Sequence, residues 1–246
     1  MSIRIENVFL ASPEQMMFII QGLRNPKNSW GKSDSEQCFY FNCDECYKSS
    51  IEPDKCTGHI LGENDHSLMQ RLSNAGTEHR KYMRMMPVYV RITAPLYWWK
   101  EFDTYKVGTV ANSCSTMHKI AEKEFTLEDF SCEHLLCGSV LDDVPNNDGK
   151  WVRFNGSNCL KDTIYMLNKA RELYLQTKDK RFWWQMIQLL PSSYNQTRNV
   201  MLNYEVLANI YRQRHGHKLD EWREVCKWIE SLPYSELITG EKEVTD

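Results

Sequence analysis

The chain has 246 residues, which is enough for one large domain or two small ones. Its 41% hydrophobic and 26% charged residues are ordinary for a globular protein, and its net charge of −3 argues against bulk electrostatic binding of nucleic acid. No apolar run approaches the roughly 18 residues of a membrane span, and the N-terminus is too polar for a signal peptide. We therefore expect a cytoplasmic protein with no membrane partner and no bulk nucleic-acid binding.

Apolar periodicity and turn residues predict five elements in the N-terminal half. Ser12 before Pro13 is typical of a helix N-cap, and Asn64 or Asp65 is the predicted cap of a later helix. The predicted elements are a strand over residues 3–10, a helix from Pro13, a helix over residues 64–76 and a strand over residues 87–94, with a helix starting just after Pro95.

The C-terminal half is predicted to be mainly helical. Helices are predicted over residues 127–137, 157–177, 181–190, 200–214 and 219–232. Strands and helices thus come first and a helical half follows, so the predicted fold class is α+β.

A cysteine-rich segment lies between the first two predicted helices. The chain has nine cysteines, and without a secretion signal a disulfide framework is not expected. Two closely spaced pairs, Cys43 with Cys46 and Cys56 with His59, match the residue types of a four-ligand zinc site. The alternative is a hairpin with free thiols.

Residues 92–119 hold the densest chemistry of the sequence. Aromatic residues, among them Trp98 and Trp99, run into acidic and basic residues and then into small polar ones. The two tryptophans are more typical of a core or an interface than of a stacking platform. The small polar residues predict a ligand-binding loop, and the alternative is an ordinary polar loop after a buried strand and helix.

Three blocks of the sequence resemble the flavin-dependent thymidylate synthases of the ThyX type. Residues 68–79 resemble the family's helix that ends in a glycine and a histidine. Residues 88–119 resemble its strand, its Ala-Pro break and its signature helix and loop. Residues 189–214, followed by 221–230, resemble its Leu-Pro segment, its Asn-containing helix with a terminal arginine, and its closing helix.

The resemblance implies a single ThyX-like domain over residues 1–246, with the cysteine-rich segment at about 36–60 as an insertion. It implies an antiparallel or mixed sheet flanked by long helices. Enzymes of this family bind FAD and dUMP at the interfaces of a homotetramer. They take a methylene group from methylenetetrahydrofolate and a hydride from NADPH through the flavin, and they need no side-chain nucleophile.

The signature loop departs from the family pattern. The family has Arg-His-Arg, then a serine, an asparagine, a serine and an arginine at fixed spacings. A gapless alignment from Ala94 and Pro95 places Thr104, Tyr105, Lys106, Thr109, Ala111, Cys114 and Thr116 at these seven positions. Shifting the alignment by one residue restores Asn112 and Ser115, but neither register keeps the three arginines, whose bidentate bonds to phosphate a lysine cannot reproduce.

The resemblance also names candidate binding residues. Arg214 matches the family's nucleotide-binding arginine. The alternative is a surface arginine at the C-terminal end of a helix, where its positive charge interacts favourably with the helix dipole. Glu101 falls where the family has a glutamine and would repel a phosphate. The full set of candidate nucleotide- or cofactor-binding residues is His79, Lys100, Glu101, Tyr105, Lys106, Thr109, Asn112, Cys114, Ser115, His118, Asn203 and Arg214.

Two functions follow from the resemblance, and a third from the cysteines. The first is reductive methylation, or a related C5 modification, of a pyrimidine deoxynucleotide such as dUMP. The second is a catalytically inactive protein on the same fold that sequesters or senses a nucleotide, which the lost arginines favour. The third is a zinc-stabilised interaction module.

Overall fold

The structure is a computed structural model, and it describes residues 3–38, 58–137, 143–145, 151–153 and 155–240. The strands are β1 (Arg4–Leu10), β2 (Glu36–Gln37), β3 (His59–Ile60), β4 (Pro87–Pro95), β5 (Val110–Ser113), β6 (Asp143–Pro145), β7 (Trp151–Arg153) and β8 (Asn195–Asn203). The helices are α1 (Pro13–Arg24), α2 (Glu63–Ser73), α3 (Lys81–Arg84), α4 (Leu96–Phe102), α5 (Thr116–Lys119), α6 (Gly156–Thr177), α7 (Lys180–Leu189), α8 (Tyr204–Arg214), α9 (Asp220–Glu230) and α10 (Glu236–Thr239).

A four-stranded antiparallel sheet has the strand order β1-β4-β8-β5. Two small antiparallel pairs accompany it, β2 with β3 and β6 with β7. The predicted α+β class is therefore confirmed. No helix in the described part of the chain is both long enough and apolar enough to cross a membrane.

The chain divides into two compact units, which are described separately. Unit 1 contains residues 3–5, Ile92–Thr104 and the described part of Asn112–Arg198. Unit 2 contains the described parts of Glu6–Arg91, Tyr105–Ala111 and Asn199–Asp246. The single domain predicted for residues 1–246 stays a prediction, and most of its cysteine-rich insertion lies outside the described residues.

Unit 1 has a core between α6, α7 and the segment before α6. Both helices have apolar residues at helical spacing, so each presents one apolar face to the other. The cluster consists of Ile120, Phe125, Phe130, Leu160, Ile164, Leu167, Ala170 and Met186. Trp98 and Trp99 of α4 are also fully buried, as the sequence predicts for core residues.

Helix α4 begins where the chain supplies acceptors for its first amides. The amides of Leu96 and Tyr97 donate to the carbonyls of Tyr194 and Ser192, at 3.0 Å each. Because the first amides of a helix have no partner inside it, these bonds tie the start of α4 to the segment before β8.

Unit 2 buries a charged pair between α1 and α2. Asp65 is fully buried and accepts hydrogen bonds from Arg24 at 2.5 Å and from the Ser33 and Ser35 hydroxyls at 2.7 Å each. The prediction that Asn64 or Asp65 caps α2 is wrong, because the N-cap is Gly62, without a side-chain bond. Asp65 binds residues far away in sequence instead, and a local capping pattern cannot reveal such partners.

Several predicted boundaries agree with the structure, whereas two segments predicted to be helical are not. Ser12 forms the capping box of α1, and α6, α7 and α9 begin and end within about two residues of their predicted bounds. Residues 200–203 are the end of β8 and not the start of a helix, because burial there alternates with period two: Val200 and Leu202 are buried. Residues 127–137 form a short 3₁₀ turn and loop, and not a helix.

Candidate functional site

Unit 1 contains a cavity of about 740 Å³. Its wall comes from the start of β1, the end of β4, the loop after β5, the segment before α6 and the start of β8. The lining residues are Arg4, Thr93, Cys114, Ser115, Thr116, Lys123, Leu127, Glu128, Asp129, Phe130, Cys132, Glu133, Tyr194, Asn195, Gln196 and Thr197. We call it the unit-1 cavity, and it includes the predicted site residues Cys114 and Ser115.

Backbone hydrogen bonds hold the loop after β5 in the wall of the unit-1 cavity. The Cys114 amide donates to the Thr197 carbonyl at 2.9 Å, and the Gln196 side chain donates to the Cys114 carbonyl at 3.0 Å. Ser115 caps α5 by accepting from the His118 amide at 3.0 Å. Both candidate positions of the signature serine, Cys114 and Ser115, therefore line the same cavity.

Arg198 supports this wall from behind, and it is not among the residues predicted from the sequence to bind a ligand. Its Nε donates to Gln196 Oε1 at 2.9 Å, and its Nη1 donates to Asp103 at 2.7 Å. Its guanidinium lies 4.2 Å from the ring centre of Trp99, and the Trp99 indole donates to the Gln196 carbonyl at 2.9 Å. If residues 195–203 are predicted as a strand from their period-two pattern, the charged side chain within that strand marks Arg198 as a residue of interest.

The polar groups of the unit-1 cavity differ in how far the chain satisfies them. The hydroxyls of Thr93 and Thr197 lie 2.8 Å apart and share a hydrogen bond. Oδ1 of Asn195 is buried and has no hydrogen-bond partner in the described chain. Burial, reinforced by the nearby Asp129 carboxylate, raises the pKa of Tyr194, so its phenol is neutral at physiological pH.

The formal charge of the lining favours neutral ligands over phosphate. Two cations, Arg4 and Lys123, face three carboxylates, those of Glu128, Asp129 and Glu133. Lys123 binds Asp129 at 2.5 Å, and this hydrogen bond raises the pKa of Lys123. With one cation already paired and a formal charge of −1, the lining offers little attraction for an anion.

Arg214 forms a separate polar cluster within unit 2. Its Nε donates to the Tyr105 hydroxyl at 2.8 Å, and its Nη1 lies 3.1 Å from Nε2 of His217. Its guanidinium lies 4.7 Å from the ring centre of Trp222, and the Tyr105 hydroxyl donates onward to Gln213 at 2.9 Å. We call these five residues the Arg214 cluster, and it brings the predicted residues Tyr105 and Arg214 together.

The turn that follows Tyr105 packs against the start of α8. Gly108 has a φ of 78°, and a Cβ there would lie 2.9 Å from the Asn203 side chain, so both conformation and space favour glycine. Asn203 is the N-cap of α8 and accepts from the Val206 amide at 3.0 Å. The Thr109 hydroxyl is buried without a hydrogen-bond partner in the described residues, and Lys106 is exposed.

The remaining predicted residues lie apart from the unit-1 cavity lining and the Arg214 cluster. In unit 1, Lys100 on α4, Asn112 on β5 and His118 on α5 are exposed, and Glu101 on α4 is half-buried. In unit 2, His79 is exposed and lies 3.4 Å from the Glu78 carboxylate.

The predicted zinc ligands Cys43, Cys46 and Cys56 lie outside the described residues. The fourth, His59, lies on β3, and its Nε2 is 3.1 Å from the Tyr234 hydroxyl. Within the described ranges, no group of three or more His, Cys, Asp or Glu side chains is arranged to hold a metal ion.

Solved structures with the same fold match nearly the whole chain. A flavin-dependent thymidylate synthase ThyX from Helicobacter pylori, complexed with FAD and dUMP, has 15% sequence identity and a TM-score of 0.57, with 96% of each chain covered. The UMP/dUMP methylase PolB from Streptomyces cacaoi, bound with 5-Br dUMP, has 13% identity and a TM-score of 0.53, with 97% of this chain and 95% of PolB covered. No protein-family model matches the chain, and no curated protein matches it in sequence. The likeness in structure shows that the chain has the fold of the flavin-dependent thymidylate synthases, as its sequence predicts.

Proposed function

We propose that the chain is a methylase that acts at C5 of a uracil nucleotide. One observation carries this proposal: the likeness in fold runs over nearly the whole length of two kinds of enzyme, both described with uracil nucleotides. The unit-1 cavity supports it, because its volume of about 740 Å³ lies in the range of small-molecule pockets, roughly 300–1,000 Å³.

In this proposal the substrate is dUMP or UMP, and methylenetetrahydrofolate supplies the one-carbon group. FAD, when bound, supplies the hydride that it receives from NADPH. The protein binds and orients these molecules and offers no nucleophile of its own. Cys114 is exposed in the wall of the unit-1 cavity, and the proposal gives it a contact role and no covalent one.

The phosphate groups are the part of the ligands that this chain must hold differently from the family. The lining of the unit-1 cavity, with its formal charge of −1, does not fit a diphosphate. Lys100 is an exposed cation of unit 1 that lies outside the lining. We assign a phosphate contact to Lys100, as a point charge in place of a bidentate arginine.

We further propose a homo-oligomer, a tetramer by family resemblance. Helices α6 and α7 of unit 1 expose large apolar side chains that a partner copy would cover. These are Tyr165, Met166, Leu173, Leu175, Trp184 and Leu189. Leu173 is 40% exposed, and a subunit interface accounts for its apolar character. The molar mass from light scattering tests this proposal.

The test of the enzyme uses dUMP and UMP tritiated at C5. Purified chain is incubated with FAD, NADPH and methylenetetrahydrofolate, and tritium released to water is measured. We expect release with at least one nucleotide, and Lys100→Ala to weaken the apparent nucleotide affinity by at least about tenfold, since one phosphate contact of about 1.5–3 kcal/mol is lost. Lys161→Ala, at another exposed lysine of unit 1, is the matched control and keeps wild-type affinity. No release with either nucleotide, in protein that takes up FAD, contradicts the proposal.

A second function is favoured by a specific observation. Thr104, Tyr105, Lys106 and Thr116 stand where the family has its signature arginines or histidine, and Arg214 is engaged within its own cluster. An inactive protein that binds a nucleotide on the same fold would need none of those arginines for catalysis. This alternative predicts nucleotide binding by calorimetry, no flavin absorbance after incubation with FAD and no tritium release.

A further inference from the structure

The side-chain amide of Gln196 holds the loop after β5. Gln196 is only 8% exposed, so both ends of its amide need partners inside the chain. Its Oε1 accepts from Nε of Arg198 at 2.9 Å, and its Nε2 donates to the Cys114 carbonyl at 3.0 Å. A guanidinium only donates and a carbonyl only accepts, so these two partners fix the orientation of the amide. Arg198 therefore decides which end of the Gln196 amide faces the loop.

Helix α4 holds Arg198 in place. Nη1 of Arg198 donates at 2.7 Å to the carboxylate of Asp103, which directly follows the last residue of α4. The guanidinium lies 4.2 Å from the ring centre of Trp99, whose indole also donates to the backbone carbonyl of Gln196 at 2.9 Å. Three contacts thus join α4 and the residue after it to residues 196–198, so the donor that orients Gln196 is fixed relative to a helix.

The loop that Gln196 holds supplies part of the wall of the unit-1 cavity. The Cys114 amide donates to the Thr197 carbonyl at 2.9 Å, so β8 binds both the amide and the carbonyl of Cys114. Cys114, Ser115 and Thr116 follow one another in the lining of the cavity. Because both polar backbone groups of Cys114 are held, the direction in which the chain continues to Ser115 and Thr116 is set at this residue.

We propose that Arg198 is a positioning residue of the unit-1 cavity. It acts through Gln196, whose amide it orients, and thereby sets the position of Cys114 and Ser115 in the cavity wall. Without Arg198, Oε1 of Gln196 loses its donor, the amide is free to turn, and the bond to the Cys114 carbonyl is lost. The link to the reaction rests on the proposed function, which takes the unit-1 cavity as its small-molecule pocket.

The first test measures hydrogen exchange at two backbone amides of the full chain by NMR. The Cys114 amide reports on the loop, and the Ser131 amide, which donates to the Ser193 carbonyl at 2.8 Å in the same unit, reports on general loosening. We expect Arg198→Met to accelerate exchange at Cys114 at least about fivefold, since the loop loses one hydrogen bond, and to leave Ser131 within about twofold. Arg181→Met, at an exposed arginine of unit 1 that also pairs with an aspartate, is the matched control and leaves both rates unchanged.

A double-mutant cycle tests whether Arg198 acts through Gln196. Gln196→Met removes both hydrogen-bonding ends of the amide, so it should accelerate exchange at Cys114 as much as Arg198→Met does. In the Gln196→Met background, Arg198→Met should add less than about twofold. Unchanged exchange at Cys114, equal acceleration at Cys114 and Ser131, or independent effects of the two substitutions overturns the inference. If Arg198→Met does not fold, Arg198→Lys takes its place in the cycle, since a lysine keeps the charge beside Asp103 and loses the planar fork.

The tritium assay tests the link between Arg198 and the reaction. Arg198→Met should lower kcat/KM for the nucleotide at least about fivefold, whereas Arg181→Met keeps the wild-type value. Faster exchange at Cys114 with an unchanged kcat/KM refutes the inference and leaves the methylase standing. No tritium release from the wild type refutes the methylase, and the exchange rates alone then decide whether Arg198 positions the loop.

Discussion

Asp65 of unit 2 and Asn195 of unit 1 differ in how far the described chain satisfies their buried polar atoms. In unit 2, the Asp65 carboxylate accepts from three side chains, and Arg214 engages a tyrosine, a histidine and a tryptophan of its own unit. In unit 1, Oδ1 of Asn195 has no hydrogen-bond partner in the described chain, and the residue lines a cavity of about 740 Å³.

The Asp65 carboxylate is charged and paired with three side chains, whereas the Asn195 amide oxygen is neutral and unpaired in the described chain. A buried charge must be paired within the chain, because leaving it unpaired is costly. A neutral amide can remain unpaired at a smaller cost. Residue type alone would rank Arg214 above Asn195 as a binding residue, but Arg214 is engaged within its own unit, whereas Oδ1 of Asn195 has no partner among the described residues.

The largest expected effect comes from Asp65→Asn, which leaves Arg24 buried without its charge partner. We expect a loss of about 3–5 kcal/mol in the free energy of unfolding, measured by chemical denaturation. Burial alone would raise the pKa of Asp65, but hydrogen bonds from Ser35, Ser33 and Arg24 outweigh it and lower the pKa. This contribution is therefore present above the unfolded-state pKa, about 4, and is lost as the pH falls through the lower folded-state value.

The control for Asp65→Asn is its own pH dependence. Wild-type protein should lose more stability than the variant between pH 5 and pH 2, because only the wild type has the carboxylate to protonate. If the free energy of unfolding depends on pH in the same way in both proteins, the Asp65 carboxylate is not stabilised by its partners in the folded state.

A smaller loss is expected for Arg214→Met. The variant removes the bond to the Tyr105 hydroxyl and the contact with the Trp222 ring, and we expect a loss of about 2–4 kcal/mol in the free energy of unfolding. Arg212→Met, at an exposed arginine of the same helix, should change stability by less than about 0.5 kcal/mol. Unchanged stability with much weaker nucleotide binding would make Arg214 a ligand-binding residue, as the family resemblance implies, and would break the comparison.

The smallest expected changes in the free energy of unfolding are those for substitutions of the two asparagines at the ends of β8. Asn203→Ala removes the N-cap of α8 and should cost about 1 kcal/mol. Asn195→Ala removes an acceptor that has no partner among the described residues, so the free energy of unfolding should change little, within about 0.5 kcal/mol. Thermal and chemical denaturation of both variants measure this contrast. A loss for Asn195→Ala as large as that for Asn203→Ala would show that Asn195 is already satisfied within the chain.

Much of the fold follows from local sequence. Ser12 caps α1 as its hydroxyl predicts, and the long apolar pattern of α6 gives a helix of the predicted length. The three family-like blocks predict the ThyX-like fold correctly. The strand β8 is missed because its first residues are polar and its last ones, before Asn203, also fit a helical pattern.

The candidate site is less predictable. Cys114 and Ser115 are named by the signature alignment and line the unit-1 cavity, but Thr93, Asn195 and Thr197 are not, since they match no motif and lie on two strands. Arg198 matches no motif either. Its role depends on Trp99, which lies 99 positions earlier in the sequence, and the fold brings the guanidinium to 4.2 Å from the centre of the Trp99 ring.

The sequence by itself determined the start of α1 and the bounds of α6, α7 and α9, because caps, prolines and apolar periodicity act over a few neighbouring residues. Only the tertiary structure decided which polar groups are satisfied. Asp65 finds Arg24 across 41 positions and Arg214 finds Tyr105 across 109, whereas Asn195 finds no partner in the described chain. Hydrogen bonding depends on which distant groups the fold brings within about 3 Å, and no local pattern encodes that distance.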